Sequence, residues 1–385
     1  MNADIIIKKF KELHRSAPYV VRSPGRINMI GEHTDYNDGF VLPAAIDKEA
    51  VFATRLNGTR MIRIFANDLD QSFETEISDI KPNDLRWPNY LLGVVDQLNK
   101  MKYTIPGFDC VFGSDIPIGA GLSSSAALEC AMAFSLNELL HFGLSKIQLA
   151  KLSQTAEQEF AGVKCGIMDE FTSLFGLENH VIKLDCRSLE FQYFPLILKD
   201  LEIILCDTKV KHALASSEYN TRRKECEQGV FILRKYDDSI HSLRDVKPET
   251  VKDHQSKLPD PVFRRCLFVT EEIGRVEAAC IDLEKADMNA FGEKMYETHT
   301  GLSKMYEVSC PELDFMVEIA LESRVVAGAR MMGGGFGGCT INLVDNQKVD
   351  QFVTRVKDQY KRKMKIDPAI YRVQIKGGTS VVSDQ

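Results

Sequence analysis

Apolar residues along this 385-residue chain switch repeatedly between helical spacing of about 3.6 and the two-residue alternation of strands. Residues 3–14 place Ile5, Ile6, Phe10 and Leu13 at helical intervals. Tyr19 to Arg22 predicts a short strand, which Ser23-Pro24-Gly25 should break. Strands are expected over 40–43 and 49–55, and a hairpin from 61–66 and 71–77 around Asn67-Asp68-Leu69-Asp70. Trp87-Pro88 introduces a helix over 89–101, with Leu91, Leu92, Val94, Val95 and Leu98 on one side. A strand at 108–113 then leads through a small-residue loop into a helix over 126–140. Ser145 to Gln148 reads as a capping box opening a helix to about Phe160, stopped at Gly162. A short apolar segment, 171–177, and strands near 180–184, 190–194 and 201–206 follow. The second half predicts helices at 216–236, 263–285, 288–298, 311–322 and 347–363, with strands at 339–344 and 370–375.

A chain of this length is too long for one compact core. Two domains are expected, 1–190 and 191–385. Hydrophobic content of 44% and charged content of 27% are those of an ordinary globular protein. The net charge of −7 gives no basic face for nucleic acid. No apolar run reaches the ~18–20 residues of a membrane span. The ten cysteines contain no Cys-x-x-Cys pair and are absent before Cys110, which argues against a secreted disulfide scaffold. With no leader-like segment, a cytoplasmic protein is expected.

Three stretches carry chemistry. Gly119-Ala120-Gly121-Leu122-Ser123-Ser124-Ser125 opens into a helix. Free backbone N–H groups and the helix N-terminus suit an anion, most simply a phosphate. It matches neither a Walker A loop nor a dinucleotide fingerprint. Alone, it leaves an ordinary loop-to-helix junction equally open. Residues 333–338 fit G-x-G-x-x-G formally but precede a strand, so close backbone packing is the simpler account. The second stretch, Arg26 to Asp35, gathers an Arg, two carboxylates and His33 between apolar anchors, a pattern able to fix sugar hydroxyls. The third runs from Glu157 to Asp169, each carboxylate either a cleft-edge acid or a cap or ion-pair partner.

Taken together, G-R-I-N-M-I-G-E-H-T-D-Y-N-D-G-F-V-L-P at 25–43, P-I-G-A-G-L-S-S-S-A-A-L at 117–128 and M-G-G-G-F-G-G at 332–338 resemble the GHMP small-molecule kinases in order and spacing. The first stretch resembles the galactokinase signature within that superfamily, as do C-G-I-M-D-E at 165–170 and S-E-Y-N-T-R-R at 217–223. The resemblance implies an α+β fold of two domains, each with a mixed or antiparallel sheet packed against helices and the site in the cleft between. It implies phosphorylation of the C1 hydroxyl of galactose by ATP. Asp169 would be the general base and Arg26 would stabilise developing charge. Glu32, His33, Thr34, Asp35, Gly166 and Tyr219 would hold the sugar. Residues Gly119 to Ser125 would wrap the ATP phosphates, with Ser125 and Glu157 binding Mg²⁺. Trp87 is similar to the aromatic residue beside adenine, although a helix staple next to Pro88 stays open. Ala120 departs from a common Gly, a change small enough to keep the loop near phosphate.

Galactose and ATP are thus the expected partners, with neither nucleic acid nor membrane, and a monomer is expected. Two other readings share these motifs: a kinase for N-acetylgalactosamine, and a sugar-and-ATP sensor without catalysis. The intact Ser123-Ser124-Ser125-Ala126 run, with Arg26 and Asp169 present, argues against the sensor.

Overall fold

The structure is a computed structural model. It describes every residue except 163–164, 212–214 and 383–385, together with all side chains but those of these residues, 211 and 215–217. Residues 163 and 164 of the Glu157 to Asp169 stretch thus lie outside the described residues.

Six strands form one sheet, in the order Ser380–Val381, Tyr19–Asn28, Pro43–Leu56, Phe108–Ser114, Met61–Ala66 and Gln71–Glu76. All neighbours are antiparallel except Met61–Ala66 against Phe108–Ser114. Strand alternation divides the side chains between two faces. Along Pro43–Leu56, Val51 and Ala53 pack with Ile6 and Phe10 of the helix Ala3–His14, while Ala50 and Phe52 join the main core. On the core side, the helix Ser124–Leu140 lies on Tyr19–Asn28 and Pro43–Leu56. Its Ala126, Ala127, Ala131 and Ala133 are buried, so small side chains let it sit deep. The helices Trp87–Lys100 and Lys146–Ala156 pack around it.

The break expected at Ser23-Pro24-Gly25 does not occur: Tyr19–Asn28 is one strand. Its register against Pro43–Leu56 shifts between Pro24 and Arg26, a bulge that accommodates a residue without an N–H. The bulge also aims Arg26 at the glycine-serine loop, where its Nη1 meets the Gly121 carbonyl. A Cβ on Gly25 would lie 2.7 Å from the Leu122 carbonyl, and the Arg26 N–H donates to that same oxygen at 3.2 Å.

A second sheet orders Val326–Met331, Gly337–Asp345, Leu201–Lys211 and Ala369–Val373, all antiparallel. The helix Val349–Met364 covers it through Phe352, Val356 and Tyr360, four residues apart on one face. Strand Val326–Met331 was not expected, because Val-Ala-Gly-Ala-Arg-Met has no apolar alternation. Gly328 and Gly292 instead let this strand and the helix Met288–Lys304 meet backbone to backbone. A third sheet joins Phe40–Val41, His180–Asp185 and Phe191–Pro195, with the helix Asp260–Glu284 against it. The apolar segment expected at 171–177 is the end of a helix, Met168–Phe175.

Candidate active site

Arg26 emerges from the bulge into a cavity of about 280 Å³. Its Nε and Nη2 donate to the two Asp169 carboxylate oxygens at 2.6 and 2.8 Å, and Nη1 donates to the Gly121 carbonyl at 2.6 Å. This fork-to-fork pair is geometrically demanding. It ties the first sheet, the glycine loop and the first turn of Met168–Phe175 to one point. Burial opposes the Arg26 charge, but the paired Asp169 more than offsets it, and the guanidinium is held above its ordinary range. Ser123 donates its hydroxyl to Asp169 as well.

The same cavity is lined by Glu32, His33, Asp35, Glu157, Cys165, Gly166, Tyr219, Asn220 and the Gly333 to Gly335 backbone. Glu32 Oε1 accepts from the Gly333 N–H at 2.8 Å and from Arg330 at 3.1 Å, so the two glycine-rich and sugar-signature segments meet there. Asp35 stands against Gly166 so closely that a Cβ on Gly166 would fall 1.9 Å from its Oδ2. Burial, and after it the nearby Asp169 charge, push the Asp35 carboxyl up to about 7. Thr34 differs from its neighbours. Its hydroxyl is spent on the Gly31 and Phe40 carbonyls at 3.0 and 2.6 Å, and its side chain is fully buried outside the cavity lining. The structure does not bring the Thr34 side chain into the cavity with the rest.

His33 is held from behind. Its Nδ1 lies 2.8 Å from the Tyr36 hydroxyl, which meets the Tyr306 hydroxyl at 2.7 Å, which in turn meets Cys226 Sγ at 3.2 Å. Burial first, then the Arg222 and Arg330 charges, push the imidazole down to about 3, so it is neutral at physiological pH. Its other nitrogen is buried beside the Gly334 backbone. Tyr36→Phe removes the anchor without changing the cavity surface. Under the sugar-binding role that the resemblance implies for His33, KM for the sugar is expected to rise ~tenfold with kcat within about twofold, the signature of lost ground-state positioning. Steady-state kinetics on the variant measures both, and an unchanged KM would contradict the anchoring role.

In the glycine-serine loop, Gly119, Gly121 and Ser123 all have positive φ, at 77°, 76° and 54°. Alternate left-handed residues turn successive N–H groups inward, as anion nests do. Ser123 precedes the helix Ser124–Leu140 but makes no cap with its side chain, which is committed to Asp169 instead. Gly333 and Gly338 pack on the backbone of Gly121 and Ala120. The third motif thus serves close backbone packing behind the glycine-serine loop and also walls the cavity. Ala120 is buried and Leu122 nearly so, with Ile118 and Gly119 exposed at the tip.

Glu157 begins a wide turn, Glu157–Ala161, that continues the helix Lys146–Ala156. Ser125 donates a hydrogen bond to it; burial pushes the carboxyl up and this bond draws it partly back. A hydroxyl and a carboxylate side by side form an all-oxygen donor pair of the kind Mg²⁺ takes. Glu129, close by and fully buried, has no hydrogen-bond partner on either oxygen, and burial, then the Glu157 charge, push its carboxyl well up. Trp87 is buried between Phe73 and Phe112, its indole N–H donating to Gln71 at 2.9 Å. That is the packing of a helix-start staple, and Trp87 does not line the cavity.

Sequence reasoning missed Arg330, Cys165 and the Tyr36–Tyr306 pair. Arg330 carried a faint signal, being a lone charge beside the apolar Met331-Met332 and the glycine run.

Residues 8–56 match the galactokinase galactose-binding signature, 89–177 the GHMP kinases N terminal domain and 280–362 the GHMP kinases C terminal domain. A galactokinase from Roseiflexus sp. is 39% identical over 98% of this chain and 96% of its own length. One from Thermotoga neapolitana is 41% identical over 94% and 99%. The crystal structure of Lactococcus lactis galactokinase complexed with galactose superposes with a TM-score of 0.94 at 31% identity, covering 98% of this chain and 99% of that one. Mevalonate kinase from Methanococcus jannaschii, at 20% identity and a TM-score of 0.67 over 94% of this chain and 100% of its own, shares the fold. The two-domain α+β GHMP kinase architecture expected from the sequence is therefore present.

Proposed function

The chain belongs to the galactokinase family, and we propose that Asp169 and Arg26 carry its reaction, with the surrounding residues in the roles below. The protein is an ATP-dependent sugar kinase that phosphorylates galactose. The observation that supports the assignment best is the Arg26–Asp169 pair, held at 2.6 and 2.8 Å where the sugar-signature strand, the phosphate loop and the Met168–Phe175 helix converge.

Phosphoryl transfer needs little covalent help from protein; alignment and charge neutralisation dominate. Galactose would sit in the 280 Å³ cavity with its C1 hydroxyl at Asp169. Asp169 accepts that proton as the oxygen turns toward the γ-phosphoryl, and Arg26 offsets charge on the transferring group. Glu32, His33 and Asp35 hold other hydroxyls, Gly166 gives a backbone contact, and Tyr219 closes the wall. The N–H groups of Gly119 to Ser125 cradle the phosphates. Ser125 and Glu157 would hold Mg²⁺, which, when bound, neutralises phosphate charge. Trp87 stays a weaker candidate for the adenine side, since its ring is packed and its N–H committed to Gln71.

The division at residue 190 is also a proposal. In support, strands up to Pro195 build the first and third sheets and those from Leu201 build the second, with Ser380–Val381 returning to the first. No helix among the described residues is long and apolar enough to cross a membrane. A cytoplasmic location is proposed on the sequence grounds given above.

An ADP-release assay over a hexose panel that includes N-acetylgalactosamine tests the substrate; faster turnover of the acetylated sugar would overturn galactose. A second expectation concerns pH. Below about 7 the Asp35 carboxyl holds its proton, and above it the carboxylate accepts from sugar hydroxyls with both oxygens. Galactose affinity of the nucleotide-free protein should rise with pH across that midpoint and be flat in Asp35→Asn. Calorimetric titrations on either side of neutrality decide, and equal affinities would remove Asp35 from this role.

A further inference from the structure

Cys165 Sγ lies 3.6 Å from Glu157 Oε2 and 3.6 Å from Glu170 Oε1. One donor atom from each of these residues lies within 4.8 Å of the others. In a tetrahedral zinc site, bond lengths of about 2.3 Å to sulfur and about 2.0 Å to oxygen set an S···O edge of about 3.5 Å. The present spacing of thiol and carboxylates is therefore already that of two edges of such a tetrahedron. A second observation is independent of this spacing. Glu170 is fully buried, and its Oε2 receives no hydrogen bond from an N–H, hydroxyl or thiol; only the neighbouring Glu157 carboxyl shares a proton with this side chain. Among the described residues no Lys, Arg or His pairs with Glu157 or Glu170 in an ion pair. Two carboxyls buried side by side repel once ionised, and burial with the Glu157 charge pushes the Glu170 carboxyl well up; a cation in the group would take the place of the shared proton. Cys165 and Glu157 both line the cavity, which gives an entry path and an open fourth position.

We propose that Cys165, Glu157 and Glu170 form a binding site for a borderline-soft divalent cation, Zn²⁺ first among them. It differs in chemistry from the all-oxygen Ser125–Glu157 pair, because sulfur selects against Mg²⁺. Binding displaces the thiol proton and the proton shared by the Glu157 and Glu170 carboxyls, and both leave to solvent. Since Glu157 belongs to both donor sets, Zn²⁺ and Mg²⁺ cannot use it together, and the site gives zinc a way to inhibit.

Cadmium is the probe, titrated into the full chain without nucleotide, sugar or magnesium, so the result stands apart from any kinase assay. A Cys186→Ser background removes the other cysteine that reaches solvent. One equivalent of Cd²⁺ should produce the ultraviolet thiolate-to-cadmium charge-transfer band, and Zn²⁺ should abolish it by displacement. The band should vanish in Cys165→Ser, and the binding midpoint should rise by about tenfold or more in Glu170→Gln. Zinc should also shield Cys165 from iodoacetamide in the otherwise unaltered protein, read by peptide mass. No band, a band that persists in Cys165→Ser, a Glu170→Gln midpoint that does not move, or alkylation of Cys165 unaffected by zinc would each overturn the site.

Discussion

Asp169→Asn is expected to lower kcat by ~10²–10⁴-fold, with galactose affinity changed only a few-fold. The substitution conserves shape and removes the proton acceptor. It also replaces one carboxylate oxygen with an NH₂ group that cannot accept from Arg26, so the two-point grip at 2.6 and 2.8 Å falls to one. Both losses bear on the transition state, where the hydroxyl must be aimed and its charge offset, more than on the bound sugar, which keeps Glu32, His33 and Asp35. Rapid-quench kinetics with calorimetry separates the two effects. Near-normal turnover would refute the base role, and loss of sugar binding in step with turnover would show that Asp169 mainly builds the pocket.

Arg330→Leu should destabilise the fold by about 3–5 kcal/mol, the range for removing one partner from a buried charged network. Arg330 is fully buried. It donates to the Met29 carbonyl at 2.7 Å, the Met331 carbonyl at 2.6 Å, the Asn28 carbonyl and Glu32 Oε1. Leucine is smaller and donates nothing, so the three carbonyls lose this donor and the buried Glu32 carboxylate keeps only the Gly333 N–H. Lysine should rescue little, because one ammonium cannot reproduce a planar fork reaching three carbonyls and a carboxylate. Urea unfolding of both variants measures the loss; a change under about 1 kcal/mol would mean that the network contributes little. Sugar affinity should fall alongside, since Glu32 would lose one of its two anchors.

Much of the site was legible in sequence because its parts are local. The run from Arg26 to Asp35, the glycine-serine loop and Cys165 to Glu170 each keep their chemistry within a few residues. What could not be read was how they meet. The Arg26–Asp169 pair spans 143 residues and the Arg330–Glu32 pair 298, and no periodicity encodes such partners. Pro24 suggested a break because propensity is local, whereas the bulge against Pro43–Leu56 is a tertiary solution. Thr34 shares the motif of its neighbours, yet the turn through His33, with φ of 62°, puts its hydroxyl on backbone carbonyls instead. Met168–Phe175 was too short for helical spacing to stand out.

The strand that carries Arg26 lies one place from the sheet edge, and the piece that covers it, Ser380–Val381, is far along the chain. Ser23 meets Thr379 at 2.8 Å across 356 positions, and Thr379 is also tied to Ser173 within the helix that carries Asp169. During synthesis on the ribosome, most of the polypeptide must emerge before this closure can form. Until then the strand presents an open ladder to other nascent chains. Yield of soluble protein in cells should therefore depend on residues 379–382 even where they contribute little to the finished enzyme's equilibrium stability.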